Sequence, residues 1–164
     1  MLLAGAILGL VTLQRLGELV LSRRNTERLL AQGAREAAPG HYPLIVALHA
    51  AWLVGLWYLA VWRPGVDVSW GWLAVFVVLQ GLRVWVIATL GSRWTTRIIV
   101  LPGAPLVTAG PYRFVSHPNY LVVVGEMMVL PLCFDLAWYG VLFTVLNVVV
   151  LRIRIRAEEA ALRQ

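Results

Sequence analysis

Apolar runs about one bilayer long alternate with short, Arg-rich polar connections along this 164-residue chain. A helix rises about 1.5 Å per residue, so roughly 20 apolar residues cross the hydrocarbon core of a membrane. Residues 2–21, 44–62 and 70–90 meet that length, the first with Gln14, Arg15 and Glu18 in its second half. From Arg93 to Asn119 the pattern turns polar, and Pro102, Pro105, Pro111 and Pro118 fall in that stretch. Residues 120–151 are apolar again and long enough for two shortened spans. A break at Cys133, Phe134 and Asp135 folds these into a helical hairpin, and Pro131 helps end the first arm by removing a backbone donor. The pattern predicts an all-α integral membrane protein of about five transmembrane helices, closed by a short C-terminal helix over residues 152–164 outside the membrane. One domain covers residues 1–164, with a loop-and-hairpin region at 91–151.

Composition agrees with lipid as the solvent. The chain is 60% hydrophobic and 13% charged, with a mean hydropathy of +0.79, where a soluble domain is about half apolar and about a quarter charged. Charge placement then orients it. With the N-terminus outside, segments 22–43, 91–119 and 152–164 are cytoplasmic and hold eleven of the 14 Arg residues. Arg63 alone faces the other side, and Arg15 and Arg83 lie within spans, which is the positive-inside asymmetry. The same placement accounts for the net charge of +6 without a nucleic-acid partner. Every basic residue is Arg, which reflects genome composition rather than site chemistry. Trp52, Trp57, Trp62, Trp70 and Trp72 are expected near span ends. A single cysteine, Cys133, leaves no internal disulfide and no multi-cysteine zinc site, and no metal is expected. The apolar start lacks a basic n-region and contains Arg15 and Glu18, so it is expected to remain as a helix rather than be cleaved.

Ionisable groups inside a span are costly and face a partner, a cavity or a site. Gln14 and Arg15 share a helix face with Glu18. They form either an interhelical clamp or a substrate contact. His49, Arg83 and Glu126 pose the same choice in later spans. The segment from Gly110 to Tyr120 leads into a helix that Pro118 is placed to start. The free N–H groups of that first turn attract anions, and Arg113 adds a planar fork suited to a carboxylate. His117 and Tyr120 lie three apart, on one face of the chain entering that helix. An ordinary Pro-rich loop is the competing reading. The tail carries Arg152, Arg154 and Arg156 and then Glu158 and Glu159, either a solvated helix end or part of a site.

The Gly110–Tyr120 run, the following hairpin and the Arg/Glu-Glu tail resemble the isoprenylcysteine carboxyl methyltransferase family. Leu82-Arg83-Val84-Trp85, Leu90-Gly91 and Trp94-Thr95 look like that family's third span and its exit, so the likeness covers roughly residues 80–164. Gln14-Arg15-Leu16, Glu18-Leu19 and Arg24-Asn25 are similar to a bacterial branch associated with type III polyketide synthases. Members of that branch methylate long-chain alkylpyrones or phenolic lipids. The resemblance implies a bacterial inner-membrane methyltransferase using S-adenosylmethionine at a cytoplasmic pocket, with a lipidic acceptor and no Rossmann domain. By motif match, Gly110, Pro111, Tyr112, Arg113, His117, Pro118 and Tyr120 hold the cofactor, together with Glu158 or Glu159. Arg154, Glu158 and Glu126 are the implied catalytic residues, and Gln14, Arg15, Glu18, Arg83, Trp94 and Arg97 the implied acceptor contacts. Where the family often has Arg before the His-Pro pair this chain has Ser116, which passes any anion contact to Arg113 or Arg97. A prenylcysteine carboxyl methyltransferase and a phospholipid N-methyltransferase share this design and differ in acceptor. A non-enzymatic transporter or scaffold would instead place its site near the membrane midplane.

Overall fold

The computed structural model describes residues 2–62 and 67–162; Arg63 and Arg163, used above in the charge asymmetry, lie outside them. The helices are α1 (Leu2–Ala31), α2 (Tyr42–Val61), α3 (Trp70–Leu90), α4 (Pro118–Leu132) and α5 (Ala137–Leu162). Four are long and apolar enough to cross a membrane, and α4, with 15 residues, is a shorter apolar helix. The protein is an all-α, multi-pass membrane protein. Leu10, Val54, Val77 and Val145 point outward and are each more than half exposed, as side chains that face lipid tails do.

The bundle is layered along its axis. At the end where α4 turns into α5, Leu8, Leu56, Phe76, Leu130 and Phe134 share one apolar core. Charged side chains from α1, α3 and α4 occupy the middle. The connection 91–117 and the last turns of α1 and α5 make the polar end.

The predicted hairpin is present, and its turn is closed by backbone geometry. Asp135 adopts φ 57°, and Leu136 N–H bonds the Pro131 carbonyl at 3.1 Å while Asp135 N–H bonds Leu132 at 3.3 Å. This is a Schellman closure, which satisfies carbonyls that lipid cannot. Pro131 sits inside the last turn of α4 and does not itself break it. Directly after the turn α5 comes so close to α4 that a Cβ on Gly140 would lie 2.9 Å from the Met128 carbonyl oxygen.

Several boundaries differ from the sequence-based expectation. The first helix does not stop at residue 21 but runs to Ala31, closed by a second Schellman turn at Gly33, φ 90°. Thirty residues span about 45 Å against a hydrocarbon core of about 30 Å, so the last turns project from the bilayer. On this projection Asn25 donates to the carbonyls of Gly91 at 3.1 Å and Trp94 at 2.8 Å, fixing the exit of α3. A two-residue antiparallel ladder, Arg35 opposite Val100 and Glu36 opposite Ile99, joins the two polar connections. It is too short to show a strand period in sequence. The C-terminal segment is not a separate helix, because α5 runs unbroken from Ala137 to Leu162. Trp52 is no interfacial residue but lies in the core, 2% exposed, and Trp57 donates to Thr12 Oγ1 at 3.0 Å. Trp62, Trp70 and Trp72 do face outward near span ends.

Gly140→Ala is expected to cost about 1–3 kcal/mol, the usual penalty for forcing atoms into a close-packed contact. Gly81→Ala, whose Cβ meets open space in the middle of α3, should be neutral or stabilising by up to about 1 kcal/mol. Thermal unfolding of both variants in detergent checks this; equal midpoints would contradict the close α4–α5 approach.

Candidate functional site

Two polar centres occupy different heights in the bundle. The deeper one joins α1, α3 and α4. Arg83 grips Glu18 with a fork, Nε to Oε1 at 2.5 Å and Nη2 to Oε2 at 2.6 Å, and its Nη1 reaches Glu126 at 2.9 Å. Arg15 bridges the same carboxylates, at 3.0 Å to Glu18 and 2.8 Å to Glu126. Gln14 donates to Glu18 at 3.0 Å and to Gln80 at 2.8 Å, and Gln80 donates to Glu126 at 2.8 Å. Two guanidinium groups thus face two carboxylates, a formally neutral cluster with Glu126 only 1% exposed. Such saturation is what a low-dielectric interior demands of buried charge. Gln80 was not singled out in the sequence, though a Gln three positions before Arg83 on the same helix face was the available signal. His49 lies apart, its Nδ1 2.8 Å from the Ile45 carbonyl of its own helix.

The second centre lies where α4 begins and α5 ends. Pro118 starts α4 at its first turn, as expected, with His117 as N-cap residue. The His117 and Tyr120 rings stack, centroids 5.2 Å apart and 13° from parallel. The Tyr120 hydroxyl donates to Glu158 and accepts from Arg154 Nε at 2.9 Å. The Arg154 guanidinium also lies 5.7 Å from the Tyr120 ring centre. One phenol therefore couples a cation to an anion across the two arms of the hairpin. Glu158, one turn beyond Arg154, faces this centre, whereas Glu159 is exposed. Asn119 Oδ1, one residue before Tyr120, is buried without a hydrogen-bond partner among the described residues. Tyr112 stands near Glu158; burial first, and that carboxylate second, push its phenol up to about 12.

Next to this centre a groove of about 330 Å³ opens between α4 and α5. Ser116, His117 and Tyr120 line one part of it, and Leu121, Val124 and Val148 make it apolar.

The structure sorts the remaining candidates. Gly110, Pro111, Tyr112 and Arg113 form a 3₁₀ turn leading to His117, with Gly110 at φ 56° packed against Thr89 of α3. Arg113 is exposed beside the Phe114 ring. Glu126 does not join Arg154 and Glu158: it is six residues past Tyr120, about 9 Å along the helix, and belongs to the charged cluster. Gln14, Arg15, Glu18 and Arg83 are likewise satisfied within that cluster. Trp94 is 2% exposed behind the loop rather than on a cleft. Arg97 pairs with Glu36 at 2.9 Å across the ladder, and that bond raises its pKa above the ordinary arginine value.

The family model described as "Isoprenylcysteine carboxyl methyltransferase (ICMT) family" matches residues 72–164. The chain is 36% identical over 161 residues to the uncharacterized protein YpbQ of Bacillus subtilis (strain 168), covering 96% of this chain and 95% of that one. It is 24% identical over 155 residues to an uncharacterized protein of Haemophilus influenzae (strain KW20), covering 90% of this chain and 88% of that one. No solved structure matches it.

Arg83→Leu should cost about 3–5 kcal/mol, because it leaves two buried carboxylates sharing one guanidinium. Glu126→Leu should cost a similar amount. The double variant should lose clearly less than the sum, since the two residues act as one network. Unfolding of all three in detergent gives the coupling, and strict additivity would show that the cluster is not a unit.

Proposed function

The chain belongs to the isoprenylcysteine carboxyl methyltransferase family and is a membrane methyltransferase, and we propose that it transfers a methyl group to an oxygen of a lipidic acceptor. The proposed acceptor is a long-chain alkylpyrone or phenolic lipid made by a type III polyketide synthase, met at the cytoplasmic face of a bacterial inner membrane. The observation that carries this reading is the Arg154–Tyr120–Glu158 relay standing beside an apolar groove open along α4 and α5.

Members of the family use S-adenosylmethionine as methyl donor, and the residues here fit such a group. A sulfonium cation suits the stacked His117 and Tyr120 rings and the Glu158 carboxylate. An amino group suits the unpartnered Asn119 Oδ1, while Arg113 and the first N–H groups of α4 suit a carboxylate. When bound, the donor supplies an electrophilic methyl, so the protein's part is alignment and charge placement.

The apolar walls Leu121, Val124 and Val148 hold the acceptor's tail and bring its oxygen to the His117–Tyr120 end. His117, at that end, would take the proton that the acceptor oxygen gives up, the bound donor supplying the methyl. Enols and phenols are acidic enough that no stronger base is required. Arg154 keeps the Tyr120 ring in place and acts as a positioning residue, while Glu158 both accepts from Tyr120 and faces the donor's cation.

Calorimetry with S-adenosylmethionine in detergent, without acceptor, tests the cofactor half. Wild type should bind one to one. His117→Ala and Glu158→Ala should bind at least about tenfold more weakly, as loss of a charge-assisted contact worth about 1.5–3 kcal/mol predicts. No binding by folded, monodisperse protein would return the motif residues to loop structure. For the acceptor half, labelled methyl transfer is compared on an alkylresorcinol, an alkylpyrone, a prenylated cysteine and phosphatidylethanolamine. Transfer to either of the last two alone would overturn the polyketide-lipid assignment.

A further inference from the structure

A second cavity, about 490 Å³ and sharing no lining residue with the α4–α5 groove, lies between the projecting end of α1, the start of α2 and the 94–97 segment. Its walls include Ser22, Arg23, Thr26, Tyr42, Thr96 and Arg97. Four hydroxyl groups and two guanidinium groups thus converge on one space. Leu19, apolar and 46% exposed, forms the edge one turn deeper, where α1 is still in the hydrocarbon. Since α1 outreaches the membrane core by about ten residues, the polar part of the cavity stands at headgroup level.

The polar groups here are not all used up within the protein. Thr26 is only 9% exposed, yet its hydroxyl has no hydrogen-bond partner among the described residues. A helical Thr commonly donates to the carbonyl four residues back; this one does not. Ser22, Thr96 and Tyr42 share a chain of hydroxyl contacts, 2.8 Å from Ser22 to Thr96 and 3.1 Å from Tyr42 to Thr96. Arg97 gives Nη1 to Glu36, lies 4.8 Å from the Tyr42 ring centre and lines the cavity. Arg23 pairs with Glu27, also on the wall, at 3.0 Å. The lining is therefore mixed in charge, with donors in excess and one carboxylate at the rim.

We propose that this cavity binds the phosphodiester headgroup of a membrane phospholipid, with Arg97 and Tyr42 on the phosphate and the acyl chains leaving past Leu19. A phosphodiester accepts from several hydroxyl and guanidinium donors at once, and Glu27 receives the ammonium of a zwitterionic head. A soluble phosphate shares the donor chemistry but makes no use of the apolar edge. The site is separate from methyl transfer and stands whether or not that reading holds.

Native mass spectrometry of delipidated protein in detergent tests it, with phosphatidylethanolamine, diacylglycerol and sn-glycerol 3-phosphate as probes. Wild type should retain one phosphatidylethanolamine at least tenfold better than diacylglycerol or glycerol phosphate. Arg97→Gln should lower that retention about tenfold and Tyr42→Phe, nearly isosteric, about threefold, while Arg156→Gln on the exposed side of α5 leaves it unchanged. Equal retention of diacylglycerol, or a wild-type level in both cavity variants, would overturn the proposal. Glycerol phosphate bound as tightly as the lipid would make this a soluble-phosphate site and refute the lipid assignment. Thermal unfolding run alongside separates lost binding from lost fold, since Tyr42→Phe removes only one hydroxyl.

Discussion

Charge buried in a lipid-facing bundle must be neutralised inside the protein, and the cluster of Arg15, Glu18, Arg83 and Glu126 meets that demand for three helices at once. Its consequence is register. Sliding any of α1, α3 or α4 by one residue would part a fork held at 2.5–2.9 Å and leave an ion without a partner. Heights elsewhere follow from it. Glu126 sets the level of Tyr120 about two turns away on α4, and Glu18 sets the level of Asn25 two turns along α1. Asn25 in turn holds Gly91 and Trp94, so both ends of the 91–117 connection hang from the same ion pairs. The apolar core at the other end adds packing, yet alone it would tolerate slippage between helices of such uniform hydrophobicity.

A division between holding and reacting follows. Glu126, Arg83, Arg15 and Glu18 bond mainly to one another, with Gln14 and Gln80 joining them, which suits a structural clamp. Tyr120, Arg154 and Glu158 also form a closed relay, but theirs ends beside a groove, with the His117 ring stacked on it and an unpartnered Asn119 oxygen nearby. A rigid aromatic platform flanked by one cation and one anion needs little rearrangement to receive a polar, charged molecule.

Much of this was legible in the residues. The spans follow from apolar length, the hairpin from a break in a long run, and the start of α4 from Pro118, because each is a local property. The meeting of His117 with Tyr120 follows from their spacing. The role of Glu126 was not legible: its six-residue separation from Tyr120 fits many partners, and only tertiary packing chooses Arg83 and Arg15. Trp52 was misassigned because an aromatic belt and a buried indole look alike in sequence. The length of α1 was hidden by the charged run Arg23–Arg28, which ends an apolar pattern without ending a helix. Gly33 marks the true stop, but one glycine among 14 carries little signal before its φ is known.

The shortness of α4 links the fold to the proposed chemistry. Fifteen residues rise about 22 Å, less than the roughly 30 Å hydrocarbon core. Its far end is fixed by the α4–α5 turn, which packs in the apolar core with Phe134 fully buried. The His117–Tyr120 platform at the Pro118 end stands level with Arg154 and Glu158, in the last turns of α5. A soluble acceptor would have to enter a partly apolar recess. Under the proposed reading, a lipid with its polar head at the interface would reach the same point by lateral diffusion, its tail staying among apolar side chains such as Leu121 and Val124. Acceptor preference would then follow the depth of the oxygen in the membrane as much as any hydrogen bond to it.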